Sequence, residues 1–358
     1  MKRLILILSF IQLLTTTGSA QTELNEYHPG ITTDGAVYFL PKTNIRVSVL
    51  IEKQTYKPGD FCKYAMRYLR LNDVGLQPTT NYRVVSISQM PVAVADTTKG
   101  YAVKFNAKTV AANFALSGDG RLLAINAQPE KTTEPASFTA APKTQMPNPR
   151  NFMSEEILSA GSAAKMAELT AREIYDLREN RNLLIKGQAD FMPGDGTQMQ
   201  MMLNHLNLQD KALTSLFAGT TECDTVETIL YVNPEGNMEH QVLFRLSRIL
   251  GVVDADDLSG EPYYIDVEDL KTVPVPADNP KAKKKKKPES GVYVNVPGRM
   301  RSTIYRSNDK LSVMEMPAPQ FGNVELLSAE LFNKRYSTHL WLNPLTGAID
   351  KLEAEQPK

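Results

Sequence analysis

Four carboxylates fall within eight residues at Asp254-Ala255-Asp256-Asp257-Leu258-Ser259-Gly260-Glu261. Clustered hard oxygens of this kind are what calcium takes from a loop, so Asp254, Asp256, Asp257 and Glu261 are the candidate metal ligands. The EF-hand spacing is not met, because no Gly follows at the sixth position and no Glu at the twelfth. The plainer reading is a solvated loop whose acids cap local turns. A second group of acids, Glu222, Asp224, Glu227, Glu239 and Asp266, falls on or near expected strands. Two carboxylates about 5–9 Å apart are what glycoside hydrolysis requires, and sequence does not show a separation.

Other chemistry finds little support. The chain holds no HExxH, GxSxG, Walker-type or GxGxxG motif and no CxxC, and nothing implies a cofactor. His28, His205, His240 and His339 have no ligand-like spacing. Ser162-Ala163-Ala164-Lys165 matches the S-x-x-K of penicillin-binding enzymes, but its companions S-D-N and K-T-G are missing, and it reads as close-packing sequence inside an alanine-rich helix. Cys62 and Cys223 would form a disulfide closing a very long loop in an oxidising compartment; the other reading is two separate buried thiols.

The elements that must position these residues read as follows. Val37–Leu40 and the alternating Ile45–Ile51 are strands, and Pro58-Gly59-Asp60 starts a short helix with Phe61, Ala65, Tyr68 and Leu69 on one side. Strands follow at Tyr82–Ser88 and Tyr101–Phe105, and Phe114–Ile125 is a hairpin turning at Asp119-Gly120. Residues 128–153 are an extended linker rich in Pro, Ala, Thr and Lys. A helix begins at Ser154 and runs to Gly187 with a largely alanine stripe; a second, with Met199, Met202, Leu206, Leu213 and Phe217 on its apolar side, ends at Gly219. A short connector makes these an antiparallel helical hairpin, residues 154–219. Strands fill 220–358, interrupted by a Pro-flanked loop at 273–290. The fold class is therefore α+β: an N-terminal β-rich part (21–127) with one short helix, and a C-terminal β-rich part (220–358), flanking the hairpin.

Residues 1–20 read as a signal peptide: a basic start, a short apolar run from Leu4 to Leu14 and Gly18-Ser19-Ala20 before the cleavage point. The run is too short to span a bilayer, and no transmembrane span is expected elsewhere. The mean hydropathy of −0.30 fits a water-soluble product. Formal charge is balanced at 40 basic and 40 acidic residues. Six lysines sit in Lys281–Lys287; without these and Lys2 and Arg3, 32 basic residues face 40 acidic ones. Such an acidic body argues against nucleic acid as partner, since phosphate contact needs a basic face. The lysine run itself is expected to be a solvated loop, or a weak contact to an anionic surface.

Several short stretches in order carry a resemblance: Tyr64-Ala65 with Tyr68-Leu69, Leu177-Arg178 with Arg181, Val242–Ser247, Gly251–Asp254, Leu258–Pro262 and Ala318–Gly322. They resemble a domain-of-unknown-function family of exported Bacteroidetes envelope proteins of about this length. The resemblance implies a shared fold and an envelope location, in the periplasm or associated with the outer membrane, and it carries no activity and no functional residues. Asp96-Thr97-Thr98 and Asp224-Thr225-Val226 resemble the O-glycosylation pattern of such envelopes, making Thr97 and Thr225 candidates; otherwise both are plain turn or strand residues. The expected function is non-catalytic: binding, assembly or scaffolding with an envelope protein or glycan as partner. The alternative is an envelope glycan or polymer hydrolase using a carboxylate pair.

Overall fold

The computed structural model describes residues 23–26, 35–104, 113–131, 136, 138–143, 146–274, 291–328 and 337–355. The leader-like residues 1–20 and residues 275–290, which include the lysine run, lie outside the described residues. Among the described residues strand makes up 49% and helix 23%, which fits the α+β class.

Long strands dominate. The stretches 37–40 and 45–51 merge into one strand, β2 (Gly35–Lys57), with Pro41 tolerated at a register shift against β3 (Thr79–Lys104). β1 (Glu23–Glu26) and β6 (Thr220–Val232) complete a four-stranded sheet in the order β1-β3-β2-β6. A second sheet orders β11 (Asp309–Ser328), β10 (Gly291–Arg306), β9 (Glu261–Asp269), β7 (Met238–Ser247) and β8 (Gly251–Val253). The third runs β13 (Ile349–Glu355), β12 (Ser337–Leu342), β5 (Leu122–Ile125) and β4 (Phe114–Leu116). Strand pairing crosses the helical segment: β6 pairs with β2, and β12 with β5. β9 pairs with residues 300–305 of β10, whereas residues 291–296 pair with β11.

Two cores share these long strands. Ile45, Val47, Val49 and Ile51 alternate onto one face of β2 and meet Phe244, Ile265, Met300 and Ile304 of the second sheet. Further along the same strands, Tyr38 and Leu40 pack with Val292, Val294, Ile125 and Leu340. At the changeover Asn295, 1% exposed, donates from Nδ2 to Pro41 O at 3.0 Å and Thr346 O at 2.9 Å. Gln320 exchanges bonds with the Thr43 backbone at 3.0 and 2.8 Å. Buried peptide groups left unpaired by the strand irregularities are thereby satisfied.

The helices form a third core. A 3-10 turn at Cys62–Tyr64 leads into α1 (Ala65–Leu69). The single helix expected from Ser154 is two: α2 (Glu155–Leu158), capped by Ser154, and α3 (Ala163–Lys186), capped by Ser162. Two serines and Gly161 between them offer the backbone a second start, which the apolar spacing does not show. α4 (Gly196–Ala218) packs along α3. Ala167, Ala171 and Ile174 face Leu213 and Phe217, with Phe61, Ala65 and Leu69 of the α1 region completing the cluster. The module is fastened to the end of β2 where Phe61 N donates to Leu216 O at 2.7 Å and the Tyr56 hydroxyl shares its one proton between Gly75 O at 2.9 Å and Ala218 O at 3.1 Å. Gly59 is required there, since a Cβ would lie 2.2 Å from Leu216 O.

Candidate functional site

The far end of the α3–α4 pair holds an apolar concavity. Gly187, in the left-handed region at φ 69°, ends α3, with its N–H and that of Gln188 bonded back to Leu184 O and Leu183 O. Asp195 starts α4 by accepting from Gln198 N at 2.8 Å. With both ends fixed, the connector holds Phe191 and Met192 outward. Between them and the helices lies a groove of ≈ 510 Å³ lined by Leu183, Leu184, Phe191, Met201, Met202 and His205. Phe191 is 73% exposed, Met201 67% and Ile185 64%. From Gly196 to Gln209 no Asp, Glu, Lys or Arg occurs, whereas the exposed side of α3 carries Glu168, Arg172, Asp176 and Glu179. Charge depletion with Met and aromatic enrichment is the composition of a protein-contacting surface. That charge-free run was visible in the sequence; the outward turn of Met201 was not.

Four of the five strand acids are engaged; the fifth, Glu239, is exposed on β7. Glu222 pairs with Lys57 at 2.9 Å and Asp224 with Lys143. Glu227 accepts from Ser48, Arg46 and the Phe138 N–H, and the Ser48 bond above all holds its carboxyl below the usual range. Asp266 lies on a different sheet, where it accepts from Tyr305 OH at 3.0 Å and His240 N at 2.7 Å. Tyr305 has one proton, and it goes to Asp266. Its oxygen therefore accepts from His240 Nδ1–H at 2.8 Å, with the imidazole stacked 4.1 Å from Tyr264. His240 holds a left-handed φ of 54° to make this contact. Cross-strand register creates the cluster, and no spacing within one segment foretells it.

The carboxylate-rich loop is closed by an internal cation. Arg245 donates to Ala255 O at 2.6 Å and Gly260 O at 3.1 Å. Asp257 caps its own turn at Ser259 N, 2.8 Å, and this backbone bond lowers its carboxyl's pKa. Glu261 pairs with Arg306 at 3.6 Å. Among the described residues no three His, Cys, Asp or Glu side chains gather as a metal set. Cys62 and Cys223 are free thiols, the first half-buried in the 3-10 turn and the second exposed on β6. The two thiols sit on separate elements and are not joined to each other in this structure. Ser162 spends its hydroxyl on Lys165 N, and the Lys165 ammonium pairs with Glu168 at 3.0 Å, so the S-x-x-K pair is a helix cap. Thr97 is exposed on β3 beside the buried Asp96, and Thr225 is partly exposed on β6 opposite Glu52.

The family described as Domain of unknown function (DUF4831) matches residues 34–350, most of the chain. The chain belongs to the DUF4831 family. No curated protein and no solved structure matches it. In this DUF4831 protein the stretches that carried the resemblance hold the fold together. Arg178 bridges α3 to Asp210 of α4 at 2.9 Å, and Arg181 reaches Asn207 at 3.1 Å. Arg245 closes the 254–261 loop, and Gln320 ties β11 to β2. Gly322 lets β11 cross close to Val296 O, which a Cβ would approach to 1.9 Å. Among the described residues of this DUF4831 protein no helix is long and apolar enough to cross a membrane.

Proposed function

We propose that this DUF4831 protein is an exported envelope protein with a non-catalytic binding role, and that the apolar end of the α3–α4 pair is the surface that binds. The leader-like residues 1–20 support export to the periplasm or the outer membrane of a Bacteroidetes-type envelope. The observation that carries the binding role is the groove with Phe191 and Met201 outward on a rigidly capped helix pair. The partner that fits is a protein segment with an apolar helical face, laid between two helix ends whose Met side chains adapt to its shape. Engagement of the strand acids by Lys57, Lys143, Arg46 and Tyr305 supports the non-catalytic side of the reading. The test replaces Phe191 and Met201 together with Gln. The melting temperature stays within a degree or so of wild type, because both side chains are solvent-exposed, while co-fractionation with the envelope partner falls. Unchanged co-fractionation by the doubly substituted protein contradicts the assignment.

A further inference from the structure

Open sheet edges are usually guarded, and among the described residues one here is guarded only by its acids and by a short segment laid across it. The outer strands are β1 and β6 of the first sheet, β11 and β8 of the second, and β13 and β4 of the third. β1, β4 and β8 are three or four residues long. β11 carries Pro317 and Pro319 and breaks register twice against β10, and β13 carries Lys351. Proline, lysine, bulges and short length are the devices that keep an edge from pairing with another chain. β6 has 13 residues, no Pro, Lys or Arg, and an unbroken register with β2. Val226, Ile229 and Tyr231 are exposed along it at 58%, 41% and 64%.

Two further features surround this edge. Behind its C-terminal half, the space between the first and second sheets stays open as a groove of ≈ 500 Å³ lined by Leu230, Val232, Met238, Val242 and Ile265, with Glu235 beside them. Val226, Thr228, Leu230 and Val232 stand opposite Ile51, Val49, Val47 and Ile45, so they face that space. Glu222 and Asp224 continue the same face toward the other end of the strand. In front, residues 138–143 of the chain straddle the edge. The Phe138 N–H reaches Glu227 and the Lys143 ammonium reaches Asp224, two residues on opposite faces of β6. Among the described residues this segment forms no backbone ladder with β6.

We propose that β6 accepts an extended segment of a partner protein as an added strand, apolar toward one end and basic toward the other along a single face. The main chain pairs with the free edge. At the apolar end every second side chain drops between the two sheets beside Leu230 and Val232. At the basic end the same face brings one cation to Asp224 in place of Lys143 and another to Glu222 beside Lys57. Main-chain pairing with alternate side chains in pockets is the chemistry of strand addition. The site is separate from the α3–α4 groove and stands or falls independently of it.

The test uses the whole chain and a fluorescent nine-residue peptide, Val-Thr-Val-Thr-Val-Thr-Lys-Thr-Lys, together with its reverse, followed by anisotropy and amide exchange. One of the two orders binds, according to the direction in which the strand is added, and exchange slows within residues 220–232. A copy N-methylated at every second amide binds about tenfold or more weakly, because the ladder cannot form. Glu in place of both Lys weakens binding, and Lys143→Ser strengthens it by releasing the segment across the edge. Phe191→Gln leaves binding unchanged. Binding by neither order, equal binding of the N-methylated copy, protection away from β6, or loss of binding in Phe191→Gln overturns the proposal. So does slow exchange of β6 that depends on protein concentration without peptide, which would make a second copy the occupant.

Discussion

Arg178 of α3 grips Asp210 of α4 through two nitrogens, Nε at 3.1 and 3.2 Å from the two carboxylate oxygens and Nη2 at 2.9 Å from Oδ1. Nη2 also donates to Thr214 at 3.1 Å, and the Asp210 side chain is 17% exposed. This is a forked, charge-assisted contact that fixes how the two helices lie together. Arg178→Ala leaves Asp210 with the Thr214 hydroxyl at 3.0 Å and Arg181 at 3.7 Å, and costs about 1–2 kcal/mol in denaturant unfolding. Arg178→Lys recovers only part of that loss, because an ammonium lacks the fork.

Ala167 and Ala171 are 0% and 3% exposed where α3 meets α4 and α1, so close approach depends on their small side chains. Ala171→Leu overpacks this contact and destabilises by about 1–3 kcal/mol. Ala164→Leu, at a half-buried position, costs clearly less. Equal unfolding midpoints for the two variants would contradict the helix packing described.

Stability falls in acid partly through Glu227. Its carboxyl is held below the ordinary glutamate value of 4.5 by Ser48, then by the Phe138 N–H and Arg46, against an opposing effect of burial. A carboxyl depressed in the folded state contributes its full stabilisation above the unfolded-state pKa, and loses it as pH drops through the folded one. Melting temperature therefore declines as pH is lowered below about 4.5, and Glu227→Gln makes that decline shallower. Protection of the Phe138 amide, taken relative to its intrinsic exchange rate at each pH, falls over the same range in the wild-type protein.

Cys223 is exposed and Cys62 half-buried, and neither is bonded. A maleimide reagent modifies Cys223 first on the folded protein, with Cys62 following more slowly, and reductant leaves the melting temperature unchanged. A melting temperature that drops on reduction would mean that the two are joined.

Local signals were legible in the sequence. The 114–125 hairpin forms as its apolar runs imply, with its turn one residue earlier than Asp119-Gly120: Gly120 N bonds back to Ser117 O at 3.0 Å around Gly118 and Asp119, and Gly120 takes the left-handed φ of 82° that closes the loop before Arg121. The alanine stripe of α3 likewise emerges as a buried face. What depends on distant residues was hidden. Nothing near Pro41 shows that β2 continues through it, since the register shift against β3 that accommodates it involves residues far along the chain, at Ala95 and Gly100. The clustering of acids at 254–261 is plain in the sequence, whereas the Arg245 bonds to Ala255 O and Gly260 O that close the loop are not. The His240–Tyr305–Asp266 contacts exist only through the pairing of three strands. The helix-pair groove was half legible: its lack of charge is in the sequence, and the outward positions of Phe191 and Met201 are set by the caps at Gly187 and Asp195.

The central claim, that the end of the α3–α4 pair binds a partner protein, is tested most directly by site-specific photocrosslinking in the native envelope. A photoreactive phenylalanine derivative is placed at Phe191, at Met201 and, as a comparison, at Glu179 on the charged side of α3. The account expects one discrete crosslinked protein from positions 191 and 201 and none from 179. Absence of adducts at 191 and 201, or the same adducts from all three positions, would contradict it.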